Sequence, residues 1–182
     1  MPTVLHARTP HPQAKQTTLQ TAERMVREYV ERLYIPAAAN EKRLSADDYR
    51  DARELAAWKE RVRTAWPGVN VAHVDAGGLD DVPQVGDQLR VRALVHLNGL
   101  RPEDVEVQLV YGRSYDGEDL TGVHYERLHL DSAIPGADPS VAHEFSGGVT
   151  LTWAGSFGYT VRVVPVNDLL LSSAELGLVA AA

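Results

Sequence analysis

Two hydrophobic periods divide the chain. Up to Pro67-Gly68 apolar residues recur at helical spacing, and beyond it they alternate at strand spacing. Residues 1–16 carry three prolines and no periodicity, and residues 1–23 read as an irregular leader. Thr17-x-x-Gln20 or Thr21 can cap a helix in which Met25, Val26, Tyr29, Val30 and Leu33 form one apolar stripe. Arg24, Arg27, Glu28, Glu31 and Arg32 cover its other side. Pro36 is expected to stop this helix, and 37–44 to form a loop. A second helix is expected from Ser45, a good N-cap, with Asp47 and Asp48 at the positive end of its dipole. Its stripe is Tyr49, Leu55, Val62 and Trp66. Neither stripe is stable in water without a partner surface. The second helix is expected to pack on the strand region, because only Pro67-Gly68 separates them.

After Gly68 the pattern is strand. Val69, Val71 and His73 alternate with polar or small neighbours, and Leu89, Val91, Ala93, Val95 and Leu97 give nine residues of alternation. Asn98-Gly99 is a strong turn signal, and Val105, Val107 and Leu109 alternate after it. Further strands are expected at 123–130, 142–145, 149–153 and 158–164, with Gly112, Asp116-Gly117, Pro135-Gly136, Gly147-Gly148 and Gly155 as punctuation. The fold class expected is α+β: two N-terminal helices, then an antiparallel immunoglobulin-like sandwich of six to seven strands. The division is 1–23 leader, 24–68 helical segment and 69–182 β-sandwich.

Charge changes at the same boundary. Residues 1–68 hold 12 Lys+Arg against 9 Asp+Glu, whereas 69–182 hold 6 against 16. A net charge of −7 over 182 residues argues against nucleic acid and anionic membrane as partners. There are no cysteines, which removes disulfides, thiolate nucleophiles and thiolate metal sites. No apolar run approaches the roughly 20 residues of a membrane span, and no secretory signal is visible, so a cytoplasmic location is expected.

Candidate chemistry is sparse. No GxGxxG or GxxxxGK[ST] loop occurs, and the seven histidines form no HxH, HxxxH or HExxH pair. His124 and His129 differ in parity and should face opposite ways. No metal site is expected. Asp116, Glu118 and Asp119 form an acidic tip, read as a solvated hairpin loop rather than a Ca²⁺ site. Glu103-Asp104 reads as a turn entering a strand, and Ser146, Ser156 and Ser172-Ser173 lack a nucleophile elbow. Trp66 and Trp153 are expected in the core. Tyr115, in a loop, is the one residue singled out as a carbohydrate contact, through stacking. No catalytic, cofactor-binding or metal-binding residue is assigned.

Several runs then point to a family. They are Arg24-Met25-Val26-Arg27-Glu28-Tyr29-Val30-Glu31-Arg32-Leu33-Tyr34 with Pro36-Ala37-Ala38, and Leu55-Ala56-Ala57-Trp58-Lys59-x-Arg61-Val62-Arg63-x-Ala65-Trp66-Pro67-Gly68-Val69. With PEDVEVQLVYG at 102–112, FGYTVRVVP at 157–165 and ELGLV at 175–179, the chain resembles the C-terminal region of bacterial α-glucan (glycogen/maltodextrin) phosphorylases, glycosyltransferase family 35. The resemblance covers about residues 24–179. It implies an enzyme with a GT-B fold that holds pyridoxal phosphate and moves a glucosyl unit to phosphate. The family's cofactor lysine comes after Gly-Met, whereas the lysines here lie in Ala-Lys15-Gln, Glu-Lys42-Arg and Trp-Lys59-Glu. No catalytic residue therefore carries over. The resemblance implies the non-catalytic tail of such an enzyme, inactive alone, with pyridoxal phosphate expected only in the full-length enzyme.

Three roles are compatible with such a tail. The first is docking against a catalytic GT-B domain. The second is a carbohydrate-binding module for α-glucan, which needs a solvent-facing Trp or Tyr beside hydrogen-bonding side chains. The third is an oligomerisation or interaction module, which needs an exposed apolar patch.

Overall fold

The computed structural model describes residues 24–79, 83–114, 119–131 and 142–182. Among the described residues one long helical segment precedes seven antiparallel strands. The backbone is helical from the first described residue, 24, passes through a π-helical turn, Val30–Tyr34, and continues as α1, Ile35–Ala65. The expected stop at Pro36 and the loop at 37–44 are thus corrected. A helix-interior proline clashes with the carbonyl four residues back, here that of Arg32. The π turn lies on that carbonyl and widens the helix where the ring needs room. Ala37-Ala38-Ala39, strong helix formers, carry the helix onward.

The real break falls later. Ala46 is extended (φ −69°, ψ 161°), and Asp47, Asp48 and Tyr49 lie in the left-handed region with φ of 49°, 54° and 59°. Ser45 does not cap a second helix, because its hydroxyl donates to the Lys42 carbonyl at 3.3 Å. The interruption separates two helices, as expected, but the first runs past Pro36 up to this break and the second begins after Tyr49, not at Ser45. Asp tolerates left-handed backbone better than most residues, whereas Tyr49 pays a steric cost there. Arg50 pairs with Asp47 and Asp51 at 3.3 and 3.2 Å, surface contacts worth little individually. The chain divides after Asp51 into two units.

The second unit, from Ala52, holds the end of α1 and all the strands. These are β1 (Asn70–Gly77), β2 (Gln88–His96), β3 (Val105–Ser114), β4 (Leu120–Leu130), β5 (His143–Thr150), β6 (Phe157–Pro165) and β7 (Ala180–Ala181). The order across the sheet is β1-β2-β5-β4-β3-β6-β7. β4 joins the two halves: it pairs with β3 over most of its length, and with β5 only at His129 and Leu130. β1 also packs against β6 and β7, so the sheet's two ends approach each other. The inward rows are aliphatic: Leu89, Val91, Ala93 and Val95 of β2, Val105, Val107 and Leu109 of β3, Val161 and Val163 of β6.

Three strand expectations change. Gly147-Gly148 is not a turn but lies within β5, which merges two of the expected strands. A Cβ on Gly148 would stand 2.4 Å from the Leu89 carbonyl oxygen of β2, so glycine there permits close strand approach. A bulge between Val71 and His73 reverses the phase of β1, so Val74 and Ala76 are half-buried and His73 is exposed. Trp153 lies beyond the end of β5 in a loop and is half-buried, so its expected place in the core is corrected. Asn98-Gly99 is the turn expected, with positive φ at both residues (49° and 83°).

Candidate functional site

Two clusters in the second unit bring chemistry-bearing side chains together. The first is a buried acidic latch. Leu55, Trp58, Val62 and Trp66 bury one face of the helix end. From that face the Trp58 indole Nε1–H donates to Asp104 Oδ1 at 2.8 Å, and Arg61 donates to the same oxygen at 3.0 Å. Asp104 closes the short 3-10 turn Pro102–Asp104 ahead of β3. It also accepts from the Arg101 backbone N–H at 3.1 Å and from its guanidinium at 3.2 and 3.3 Å. Burial disfavours the Asp104 carboxylate, yet the Arg101 and Trp58 hydrogen bonds and the Arg61 charge outweigh it and hold its carboxyl below the usual range. The helix C-terminus is satisfied from the sheet side: Asn98 Nδ2 donates to the Ala65 carbonyl at 2.7 Å. Lys59 pairs with Glu175 at 2.6 Å.

The sequence reading of Glu103-Asp104 as a turn entering a strand is what the structure has, but the role of Asp104 went unseen. Its partners lie 43 and 46 residues away, beyond any local pattern. The latch joins two of the runs that carried the family resemblance, the Trp58-Lys59-x-Arg61 run and the run from Pro102.

The second cluster is aromatic. Tyr111 of β3 is the register partner of His124 on β4 and of Tyr159 on β6. Trp153 stacks on Tyr111, ring centroids 6.0 Å apart and planes 13° apart, and His124 lies 5.7 Å from Tyr111 and 5.9 Å from Trp153. Phe157 is 6.2 Å from Trp153. The Arg113 guanidinium sits 5.9 Å over the Trp153 ring. A concavity of about 350 Å³ opens here, lined by Arg113, Thr121, Gly122, His124 and Trp153. A register shift between Tyr111 and Arg113, with Gly122 of the facing strand at φ +59°, bends β4 beside it. Burial, then the neighbouring Glu126 charge, raises the Tyr111 phenol above its ordinary value.

Tyr115, the expected carbohydrate contact, lies outside the described residues, as do Asp116 and Glu118 of the acidic tip. His124 and His129 sit on one strand at opposite parity, paired across it to Tyr111 and Ser146. Among the described residues no three His, Asp or Glu side chains gather as metal ligands. No helix among them is long and apolar enough to cross a membrane. Lys42 is exposed and Lys59 is held by Glu175 on the surface, so neither fits an enclosed imine-forming lysine for pyridoxal phosphate. Lys15 lies outside the described residues.

A helix end clamped by an acidic latch onto a sandwich-like β-domain is the class the geometry defines. Residues 66–182 match the family model of the glycogen phosphorylase C-terminal domain, and the chain belongs to that family. It is 44% identical over 168 residues to the glycogen phosphorylases of Mycobacterium bovis and Mycobacterium tuberculosis, covering 89% of this chain and 19% of theirs. It is 31% identical over 164 residues to the maltodextrin phosphorylase of Thermococcus litoralis, covering 87% of this chain and 18% of that protein. The chain thus spans about a fifth of the length of these curated relatives. No solved structure is matched significantly.

Proposed function

We propose that the chain is the non-catalytic docking domain of a cytoplasmic α-glucan phosphorylase, and that its partner is the catalytic GT-B portion, which carries the pyridoxal phosphate. The observation that carries this reading is the helical stripe before the break. Met25, Val26, Tyr29, Val30, Leu33, Tyr34 and Ile35 are all exposed, in a chain that spans a fifth of its relatives. Large apolar side chains left in water each forgo roughly 1.5–3 kcal/mol of burial, so a row of them marks a surface built for contact. The four-fifths of the relatives that this chain does not match supply the occupant. On this reading the chain alone releases no glucose 1-phosphate from glycogen and phosphate. The strand order β1-β2-β5-β4-β3-β6-β7 also supports the finer reading of an immunoglobulin-like sandwich, with β4 linking the two halves through its pairing to β3.

The test is to mix the full chain with the Mycobacterium tuberculosis glycogen phosphorylase lacking its matching segment. Size-exclusion chromatography should show co-elution, lost in the double variant Tyr29→Asp/Leu33→Asp. A chain that elutes alone as a monomer would overturn docking, and one that pairs only with itself would favour the oligomerisation role.

A further inference from the structure

We propose that the aromatic end of the β-domain is a second, non-catalytic binding surface, and that its ligand is an α-1,4-linked glucan chain. The interior rows of the sandwich are valine and leucine, buried almost completely. At one end the same rows change character: Tyr111, His124 and Tyr159 stand side by side across three strands. Phe157 and Trp153 complete the group. None of these five residues is buried, and Tyr159 is 40% exposed. Aliphatic residues would close the end of a sandwich at lower cost. Five adjoining rings kept half-wet form a patch of the kind that marks a binding surface.

The shape and polarity narrow the ligand. The concavity of about 350 Å³ falls within the size range of small-molecule sites and suits one or two pyranose rings. A pyranose presents an apolar C–H face, which stacks on aromatic rings, and an equatorial rim of hydroxyls, which needs mixed donors and acceptors. The rim of this site supplies both: the Arg113 guanidinium, the His124 imidazole and the Thr121 hydroxyl, which donates to the Arg113 carbonyl at 3.3 Å and keeps its lone pairs. Arg113 lies over the Trp153 ring, and the lining combines two rings with one guanidinium and one hydroxyl. The rings beside the concavity suit the C–H face of a neutral polyol, which an inorganic anion lacks. The Trp153 Nε1–H is enclosed and has no acceptor among the described residues. The choice of glucan among sugars rests on the phosphorylase reading; the surface itself does not.

Affinity electrophoresis of the full chain in glycogen-containing gels tests the proposal, with maltoheptaose as the soluble probe. Arg113 and His124 are exposed, so Arg113→Ala and His124→Ala should melt like the parent and bind glycogen about tenfold more weakly. Maltoheptaose should change the intrinsic tryptophan fluorescence of the parent, and Trp153→Phe, which keeps a ring, should lose that change. No retardation of the parent overturns the proposal. Retardation unchanged in all three variants overturns the site, and equal binding of cellohexaose overturns the choice of α-glucan. The Tyr29→Asp/Leu33→Asp variant should bind glycogen like the parent, so failure here and failure of docking are read separately.

Discussion

Two stripes of one helical segment have opposite fates. Leu55, Trp58, Val62 and Trp66 are buried, Val62 completely, whereas Met25 is 55% and Leu33 57% exposed. Both stripes have helical spacing and comparable apolar residues, so amphipathicity alone does not tell which one folds against its own chain. The difference lies in what stands beside them. The later stripe carries Trp58 and Arg61, which reach a buried carboxylate, and its Ala65 carbonyl accepts from Asn98. The earlier stripe lies before a break at Ala46–Tyr49 and beyond the unit boundary at Asp51. The latched stripe belongs to the fold of the second unit, whereas the open stripe is exposed.

The largest effect should come from Trp58. Trp58→Ala removes a buried ring and a hydrogen bond to Asp104, and should lower unfolding free energy by about 3–5 kcal/mol in a urea titration. Asp104→Ala comes next at about 2–4 kcal/mol, since it strands the Trp58 indole donor while Arg61 and Arg101 stay partly solvated. Asp104 also sets a pH signature. Its folded carboxyl titrates below the unfolded value of about 4, so its contribution is complete above that pH and is lost as pH falls through the folded value. Below about pH 4 the parent should lose stability more steeply than Asp104→Asn, and parallel acid curves would contradict the latch.

Gly148→Ala should cost about 1–3 kcal/mol, because its Cβ would meet backbone rather than a mobile side chain. The smallest effect belongs to the open stripe: Leu33→Ala should stay within about 0.5 kcal/mol of the parent. A loss as large as that of Trp58→Ala would show that the two stripes do not differ.

Much of the β-domain was legible because alternation reports directly on a half-buried strand: β2 and the Asn98-Gly99 turn lie where the pattern put them. The errors share a cause. Gly147-Gly148 reads as a turn locally, and only the neighbouring strands show why a strand interior needs glycine. Pro36 reads as a stop, and only the π turn before it shows how a helix accommodates the ring. The clusters were harder still. Tyr111, His124, Trp153 and Phe157 come from four stretches of chain, and Asp104 meets its helix partners across more than forty residues. Family resemblance named the right runs but not the contacts that join them.

On the docking proposal, residues before the break serve a partner and not the fold of the β-domain. The sharpest test compares urea and thermal unfolding of the full chain with those of a chain lacking residues 1–40. The shortened chain should keep a cooperative transition, strand-type circular dichroism and an unfolding free energy within about 1 kcal/mol of the full chain. Loss of the cooperative transition would contradict that proposal, because the first stripe would then belong to the core.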